Sequence, residues 1–325
     1  MVKAIQVTTP GGPDVLRMVE APLAHPGPGE VVVRHHAIGL NYIDIYVRTG
    51  LYKQPSYPCG LGYEGAGVVE AVGPKVKDFK VGDRVAYGLS PIGAYAEARI
   101  MPADRLVKLP KEIDFKTGAA MMLQGMTARY LLRRTYKVKK GDTILVHAAA
   151  GGVGLIMCQW AKSLGATVIG TVSSDEKATL AKSHGCKHPI VTGKEDFAER
   201  VKEITKGKGL PVVYDSVGKD TCEKSLACLA PLGLFVTFGN SSGPIPPFDL
   251  GQLAAKGSLY VTRPTLGTYV AKHEDLVATA RDLFRVVKSG AVKIRVNQTY
   301  RLADAAQAHR DLETRKTTGS TVLMP

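Results

Sequence analysis

The sequence predicts an α/β protein in which a doubly wound, six-stranded parallel sheet is inserted into a β-rich domain. Three observations carry this. Between residues 120 and 265, six short apolar runs alternate with stretches of helical periodicity. Before residue 120 the chain reads as short strands and tight turns. After residue 265 too little chain remains for a domain of its own, so it is expected to rejoin the first. The boundaries expected are 1–123 for the β-rich domain, 124–265 for the parallel-sheet domain and 266–325 for the return.

In the β-rich stretch, residues 30–38, 65–73, 81–86 and 93–97 combine β-branched or small apolar residues with bounding glycines, the pattern of strands closed by turns. The apolar runs that follow cover 143–147, 167–171, 188–191, 212–215, 234–238 and 259–262. Between them, Val153, Ile156, Met157, Trp160, Ala161 and Leu164 fall on one helical face, as do Phe197, Val201 and Ile204. Strands alternating with helices require right-handed crossovers, hence a parallel sheet covered on both faces. The tail offers a helix over 274–287, a strand over 292–299, a helix opened by Asp304 and a closing strand over Ser320–Met324.

Composition narrows the class. With 45% hydrophobic and 22% charged residues, the 325-residue chain is an ordinary globular one, and its length favours two domains over a single core. No apolar run approaches the roughly 20 residues needed to cross a bilayer, and the start of the chain lacks a signal-peptide pattern, so a soluble cytoplasmic protein is expected. Five scattered cysteines, none in a C-x-x-C arrangement, point to neither a disulfide framework nor a zinc cluster and read as small apolar fillers. Lys and Arg outnumber Asp and Glu by 14. That balance favours anionic ligands, with weak attraction to nucleic acid as a by-product, because the basic residues are spread rather than clustered.

The chemistry begins at Ala148-Ala149-Ala150-Gly151-Gly152-Val153-Gly154, between the 143–147 strand and a helix. Gly151 lets the backbone approach a pyrophosphate, Gly154 lets the helix pack close to the sheet, and the helix N-terminus presents amides to phosphate. This strand, turn and helix are the order of a dinucleotide site, although Ala149 stands where the first glycine of G-x-G-x-x-G belongs. The next strand should choose the cofactor. An acid at its end would bind the ribose diol of NAD, whereas this chain has Val172-Ser173-Ser174 with Lys177 one helical turn on. Hydroxyls and an ammonium suit a 2′-phosphate, so NADPH is expected. The alternative, Ser174 as a helix N-cap beside a solvated Lys177, stays open.

These residues resemble a known family. Gly141-Asp142, Leu145, Ala149 to Gly154, Gln159 and Lys162 match the quinone oxidoreductase (zeta-crystallin-like) signature at its spacing. The segments Gly39-Leu40-Asn41-Tyr42-Ile43-Asp44, Tyr214-Asp215-Ser216-Val217-Gly218, Phe238-Gly239-Asn240-Ser241-Ser242 and Tyr260-Val261-Thr262-Arg263-Pro264 are similar to the same family, especially its bacterial NADPH:quinone reductases. The resemblance covers the whole chain. It implies the medium-chain dehydrogenase/reductase architecture, a GroES-like β domain with a Rossmann domain, as a homodimer. It implies cofactor contacts at Asn41, Tyr130, Gly151, Gly152, Val153, Gly154, Ser173, Lys177, Ser216, Phe238, Gly239, Asn240 and Arg315, with Arg315 reaching the cofactor from the other domain. Thr192 stands where bacterial relatives have a tyrosine against the adenosine half, which weakens an expected stacking contact.

The resemblance also bears on zinc. Asn41 stands where the alcohol dehydrogenase branch has a catalytic cysteine, Tyr63-Glu64 where it has His-Glu, and the loop between Gly88 and Ala98 lacks the four-cysteine lobe. Adjacent His35 and His36 on a strand face opposite sides, so they do not substitute as ligands. No metal is expected. Without zinc or flavin, hydride passes directly to the acceptor, and the protein contributes positioning and hydrogen bonds to the oxygen that becomes negative. Asn41, Tyr46, Tyr52 and Arg263 are the catalytic candidates, with Asp44 set to orient one of the tyrosines. A phenol is a donor at neutral pH and not a base. The acceptor expected is a small quinone; the same parts would serve an enone, making a double-bond reductase the alternative. A reading of another class, a crystallin-like protein that binds AU-rich RNA, has the +14 balance behind it but no recognised RNA module.

Overall fold

A computed structural model describes residues 1–89 and 91–325. The chain divides into two compact units. One comprises Met1–Met126, Tyr269–Lys288 and Ile294–Pro325; the other comprises Thr127–Thr268 and Ser289–Lys293.

The second unit is a six-stranded sheet in the order Cys186–Val191, Thr167–Val172, Thr143–Val146, Leu210–Asp215, Leu229–Thr237, Tyr260–Thr262, with every pair parallel. Its strands read as continuous apolar runs because both faces are covered: Ile144, Leu145 and Val146 have no exposed surface. Each such side chain contributes about 1.5–3 kcal/mol by leaving water. Gly152–Ser163 and Asp175–Ser183 supply the crossovers from the first strand to the second and from the second to the third. Phe197, Val201 and Leu226 from two further helices pack on Leu145, Ile169 and Val213. The strand order reverses between Thr143–Val146 and Leu210–Asp215, where open α/β sheets bind ligands beyond the strand ends.

The first unit holds a seven-stranded sheet in the order Val296–Arg301, Ser320–Met324, Glu30–Leu40, Glu64–Val72, Arg84–Gly88, Val107–Lys108, with Ala98–Pro102 also pairing with Glu30–Leu40. A three-stranded sheet of Leu16–Ala21, Val2–Val7 and Cys59–Gly60 accompanies it. Ile5, Val33, Ile38, Leu61, Tyr95 and Leu323 are among its core.

Three expectations are corrected here. Residues 93–97 are not a strand: the amides of Gly93 and Ala94 donate to the Gly62 carbonyl and that of Tyr95 to Leu61, leaving one bridge, Ala96 to Ala4. Those bonds consume the groups that a ladder would use. The strand expected over 81–86 starts at Arg84, because Gly82 turns at φ +89°. The strand expected over 292–299 starts at Val296, and Ser289–Lys293 joins the second unit instead of returning with the tail. Gln159 holds it there, accepting from the Lys293 N–H at 2.9 Å and donating to its carbonyl at 3.1 Å. A helix that the β-rich reading had not separated, Tyr42–Arg48, also interrupts the first unit.

Candidate active site

Ala148 turns at φ +52°, and Gly151 then forms the N-cap of Gly152–Ser163. Gly151 has an ordinary extended backbone (φ −78°), so its value lies in bareness, a Cβ there meeting the Ala148 carbonyl at 3.2 Å. Gly154 is more constrained: a Cβ would collide with that carbonyl and lie 2.7 Å from Ala149 Cα. The amides of Gly152, Val153 and Gly154 belong to the first helical turn, where no intrahelical acceptor exists. The departure at Ala149 has a partner in the next strand. A Cβ on Gly170 would lie 2.6 Å from the Ala149 methyl, so the second strand lacks a side chain where the turn has gained one.

Beyond the second strand Ser173 is exposed and Lys177 half-buried. Ser174 is the N-cap of Asp175–Ser183, accepting from the Lys177 N–H at 3.3 Å. Its hydrogen bond to Glu176 holds that carboxyl below its usual range. Ser174 is therefore committed to the helix, and Ser173 with Lys177 remain as the phosphate-facing candidates. Asp175 is ion-paired with Lys194 at 2.6 Å.

The ends of the fourth and fifth strands come together. Buried Asp215 accepts from the amides of Val217 (2.7 Å) and Gly218 (3.0 Å) and from the Thr221 hydroxyl (2.6 Å), shaping the turn that carries Ser216. Gly239 lies against Ser216, where a Cβ would sit 2.9 Å from its Cα. Arg263, a catalytic candidate, donates to the Gly239 carbonyl (2.9 Å) and the Thr237 hydroxyl (3.0 Å), bracing the segment of Phe238, Gly239 and Asn240. Below the turn, buried His147 bridges the hydroxyls of Thr171 and Ser225, each at 2.9 Å. Tyr130 in this unit is buried, and Arg315 in the other is exposed at φ +59°.

In the first unit, Asn41 opens the Tyr42–Arg48 helix and Tyr46 projects one turn on. Tyr46 and Tyr52 meet edge to face at 5.2 Å, and the Tyr52 amide donates to the Tyr46 carbonyl. Asn41 is 4% exposed and closely held: its Nδ2 donates to Glu64 Oε2 (2.6 Å), and its Oδ1 accepts from Gln124 Nε2 (3.0 Å). The hydrogen bonds of Asp44 go to neither Tyr46 nor Tyr52. Its Oδ2 accepts from the Asn41 amide (2.9 Å) and from the Tyr95 hydroxyl (3.0 Å). Behind Tyr95 the donors run one way. Arg48 only donates, so His309 Nδ1 accepts from it (3.1 Å) and His309 Nε2–H donates to Tyr95 (3.1 Å). Burial and the Arg48 charge hold His309 down at about 3, which keeps this tautomer neutral. Burial, against hydrogen bonds from Asn41 and Tyr95, holds Asp44 up at about 7. Gln124, Tyr95 and His309 were not among the residues the motifs singled out, and Glu64 stood there only in the zinc comparison. The one hint is a polar residue inside an apolar run, as with Gln124 after Met121-Met122-Leu123.

His35 is buried between the Ala96 carbonyl and Tyr87, and burial holds it down at about 4, while His36 stacks on Phe115. Among the described residues, no group of three or more His, Cys, Asp or Glu side chains is arranged to hold a metal ion. No helix there is long and apolar enough to cross a membrane.

A parallel sheet reversing at a glycine turn, joined to a β-rich unit in which Asn41 opens the helix that carries Tyr46, defines the medium-chain dehydrogenase/reductase class. Residues 27–111 match the alcohol dehydrogenase GroES-like domain and residues 152–283 the zinc-binding dehydrogenase domain. A quinone oxidoreductase of Pseudomonas aeruginosa is 58% identical over the full length of both chains. The 2-haloacrylate reductase of a Burkholderia species is 47% identical over all of this chain and 99% of its own. The crystal structure of Escherichia coli quinone oxidoreductase complexed with NADPH superposes with a TM-score of 0.98 at 50% identity, covering 99% of this chain and all of that one. The chain belongs to the quinone oxidoreductase family.

Proposed function

We propose that this NADPH-dependent oxidoreductase is a zinc-independent quinone reductase in which hydride passes directly from nicotinamide to quinone. The observation that carries the reading is the glycine turn at the point where the strand order reverses: bareness at Gly154 seats the helix N-terminus against the Ala148-Ala149 backbone, and bareness at Gly239 lets its segment lie against Ser216. The first-turn amides of Gly152 and Val153 receive the pyrophosphate, and Ser173 and Lys177 receive the 2′-phosphate. Ser216, Phe238, Gly239, Asn240, Tyr130, Asn41 and Arg315 are the further cofactor contacts.

Bound NADPH supplies the hydride. The acceptor gains that hydride and a proton from solvent, so a quinone leaves as hydroquinone and NADP+ remains. Tyr52 and Tyr46 donate hydrogen bonds to the acceptor oxygen as charge develops on it, and Arg263, on the family segment 260–264, is the further catalytic candidate. Zinc independence is supported by Asn41, whose carboxamide is already engaged by Glu64 and Gln124. Tyr52→Phe is expected to lower kcat on 1,2-naphthoquinone by about 10-fold or more, the order expected when a donor to a developing oxyanion is lost, with KM for NADPH unchanged. Full turnover in that variant would refute the polarising role.

A second reading, reduction of an activated carbon–carbon double bond, is favoured by the 47% identity to a 2-haloacrylate reductase. Comparing 1,4-benzoquinone, 1,2-naphthoquinone and simple enones with NADPH separates the two.

The homodimer is proposed on the open edge of the six-stranded sheet. Among the described residues, Tyr260–Thr262 pairs on one side only, and Leu232, Leu250 and Tyr260 are each at least 60% exposed in this unit. A secondary affinity for AU-rich RNA rests on the charge balance alone, and absence of binding at low salt would end it.

A further inference from the structure

A line of polar side chains crosses the buried interior of the first unit. Ser320 Oγ lies 2.7 Å from Gln124 Oε1, Gln124 Nε2 lies 3.0 Å from Asn41 Oδ1, and Asn41 Nδ2 lies 2.6 Å from Glu64 Oε2. Glu64 Oε1 accepts from the Leu123 amide at 2.9 Å. Read from donor to acceptor, hydroxyl, carboxamide, carboxamide and carboxyl form one directed relay. That direction is the one an ionised Glu64 requires, because a carboxylate can only accept.

The relay is also reversible. The oxygen and nitrogen of a carboxamide have nearly the same size, so a half-turn about the last torsion changes the chemistry and not the volume. If Glu64 Oε2 carries a proton, it donates. Asn41 then turns Oδ1 toward it and Nδ2 toward Gln124. Gln124 answers with Oε1, which leaves its Nε2 facing Ser320. Ser320 must then accept and send its own proton elsewhere, and the Ala120 carbonyl stands 3.0 Å from its Oγ. Every link survives in the opposite sense. The slot is tight as well, since a Cβ on Gly39, paired with Glu64 across the sheet, would collide with the carboxyl.

We infer that Glu64 is a positioning residue whose proton sets which end of the Asn41 carboxamide donates and which accepts, through concerted reversal of Asn41 and Gln124. The inference rests on the proposed contact of Asn41 with cofactor or acceptor. The groups facing Glu64 are Asp44 from the Tyr42–Arg48 helix, Tyr87 from Arg84–Gly88, Tyr95, and the amides of Met122 and Leu123. Burial, opposed by the hydrogen bonds from Asn41 and Leu123 and reinforced by the Asp44 charge, holds Glu64 up at about 8, where both forms are populated in ordinary buffers.

The relay is tested on the ligand-free protein by following the side-chain amide 15N resonances of Asn41 and Gln124 from pH 6 to pH 10. They are expected to move together with one midpoint, and the Kd for NADPH or the KM for 1,2-naphthoquinone to change several-fold at the same midpoint. In Glu64→Gln the Leu123 amide keeps the new oxygen, so the new NH2 faces Asn41. Both readouts should then be flat and fixed at the wild-type low-pH values. Ser320→Ala leaves the carboxyl intact. It removes two bonds from the reversed order and one from the direct order, so the midpoint should fall by about half a pH unit or more, the equivalent of part of one net hydrogen bond. Amides that titrate separately or not at all, or an unmoved midpoint in Ser320→Ala, would overturn the relay. A common midpoint with ligand constants flat across it would overturn the positioning role. If Glu64→Gln does not melt cooperatively, Ser320→Ala alone decides. Full activity in Asn41→Ala would instead sink the proposed contact of Asn41 and leave the amide titration standing.

Discussion

Lys177 is the side chain proposed to select between two nearly identical cofactors. Asp175 is paired with Lys194, Glu176 is engaged by Ser174, and neither lies on the strand end where an acid would repel a phosphate. Lys177→Met is expected to raise KM for NADPH about 10-fold or more, the order of one charge-assisted phosphate contact, while KM for NADH barely moves. Equal changes for both cofactors would remove the 2′-phosphate assignment. At this scale the sequence was half legible. Asn41, Tyr46, Tyr52 and the glycines stand in short contiguous motifs that can be read directly. The residues that hold Asn41 and Asp44 cannot be read that way. Ser320 meets Gln124 across 196 positions and His309 meets Tyr95 across 214, and no local pattern encodes such pairs.

Among the elements, the first two strands of the parallel sheet share a constraint. The Ala149 methyl occupies space that Gly170 leaves bare, and Cys186 Sγ would be 2.7 Å from a Cβ placed there. Gly170→Ala should therefore destabilise the protein by about 1–3 kcal/mol, the usual cost of overpacking. Adding Ala149→Gly should restore part of the loss, and a denaturant-melt double-mutant cycle reads the coupling. Strictly additive losses would show that the two positions do not share the space. The parallel strands were legible because burial on both faces demands uninterrupted apolar runs. The segment around Gly93 misled because small apolar residues between glycines look like a strand, whereas its amides are bonded to the Leu61-Gly62 loop.

For the whole molecule, buried titratable groups act in opposition. Asp44 and Glu64, raised from 3.8 and 4.5 to about 7 and about 8, bind protons more tightly folded than unfolded. Their contribution to stability is greatest below the unfolded values and declines as pH rises through the folded ones. His35 and His309, lowered from 6.5 to about 4 and about 3, do the reverse, and their contribution declines as pH falls below 6.5. The two pairs oppose each other between about pH 4.5 and 6.5; above that, of these four groups, only the carboxyls act. Tm should fall from pH 6.5 to 8.5, and by less in Glu64→Gln. A wild-type Tm that rises over this range would contradict the assignment. Assembly is tested at the same scale: light scattering should give twice the chain mass, and Tyr260→Glu should shift the population toward monomer.

The strand Ser320–Met324 sits inside its sheet, between Val296–Arg301 and Glu30–Leu40, although most of the chain separates it from the latter. On the ribosome this reverses the usual order in which earlier segments finish first. Nearly all of the nucleotide unit has emerged while the older β unit still lacks an interior strand, and the Gly39-Leu40 end of Glu30–Leu40 awaits its partner. Ser320 arrives with that strand, so the tether that reaches Asn41 through Gln124 forms only after it. A nascent chain stalled before residue 320 would thus display its glycine turn ahead of the completed amide relay.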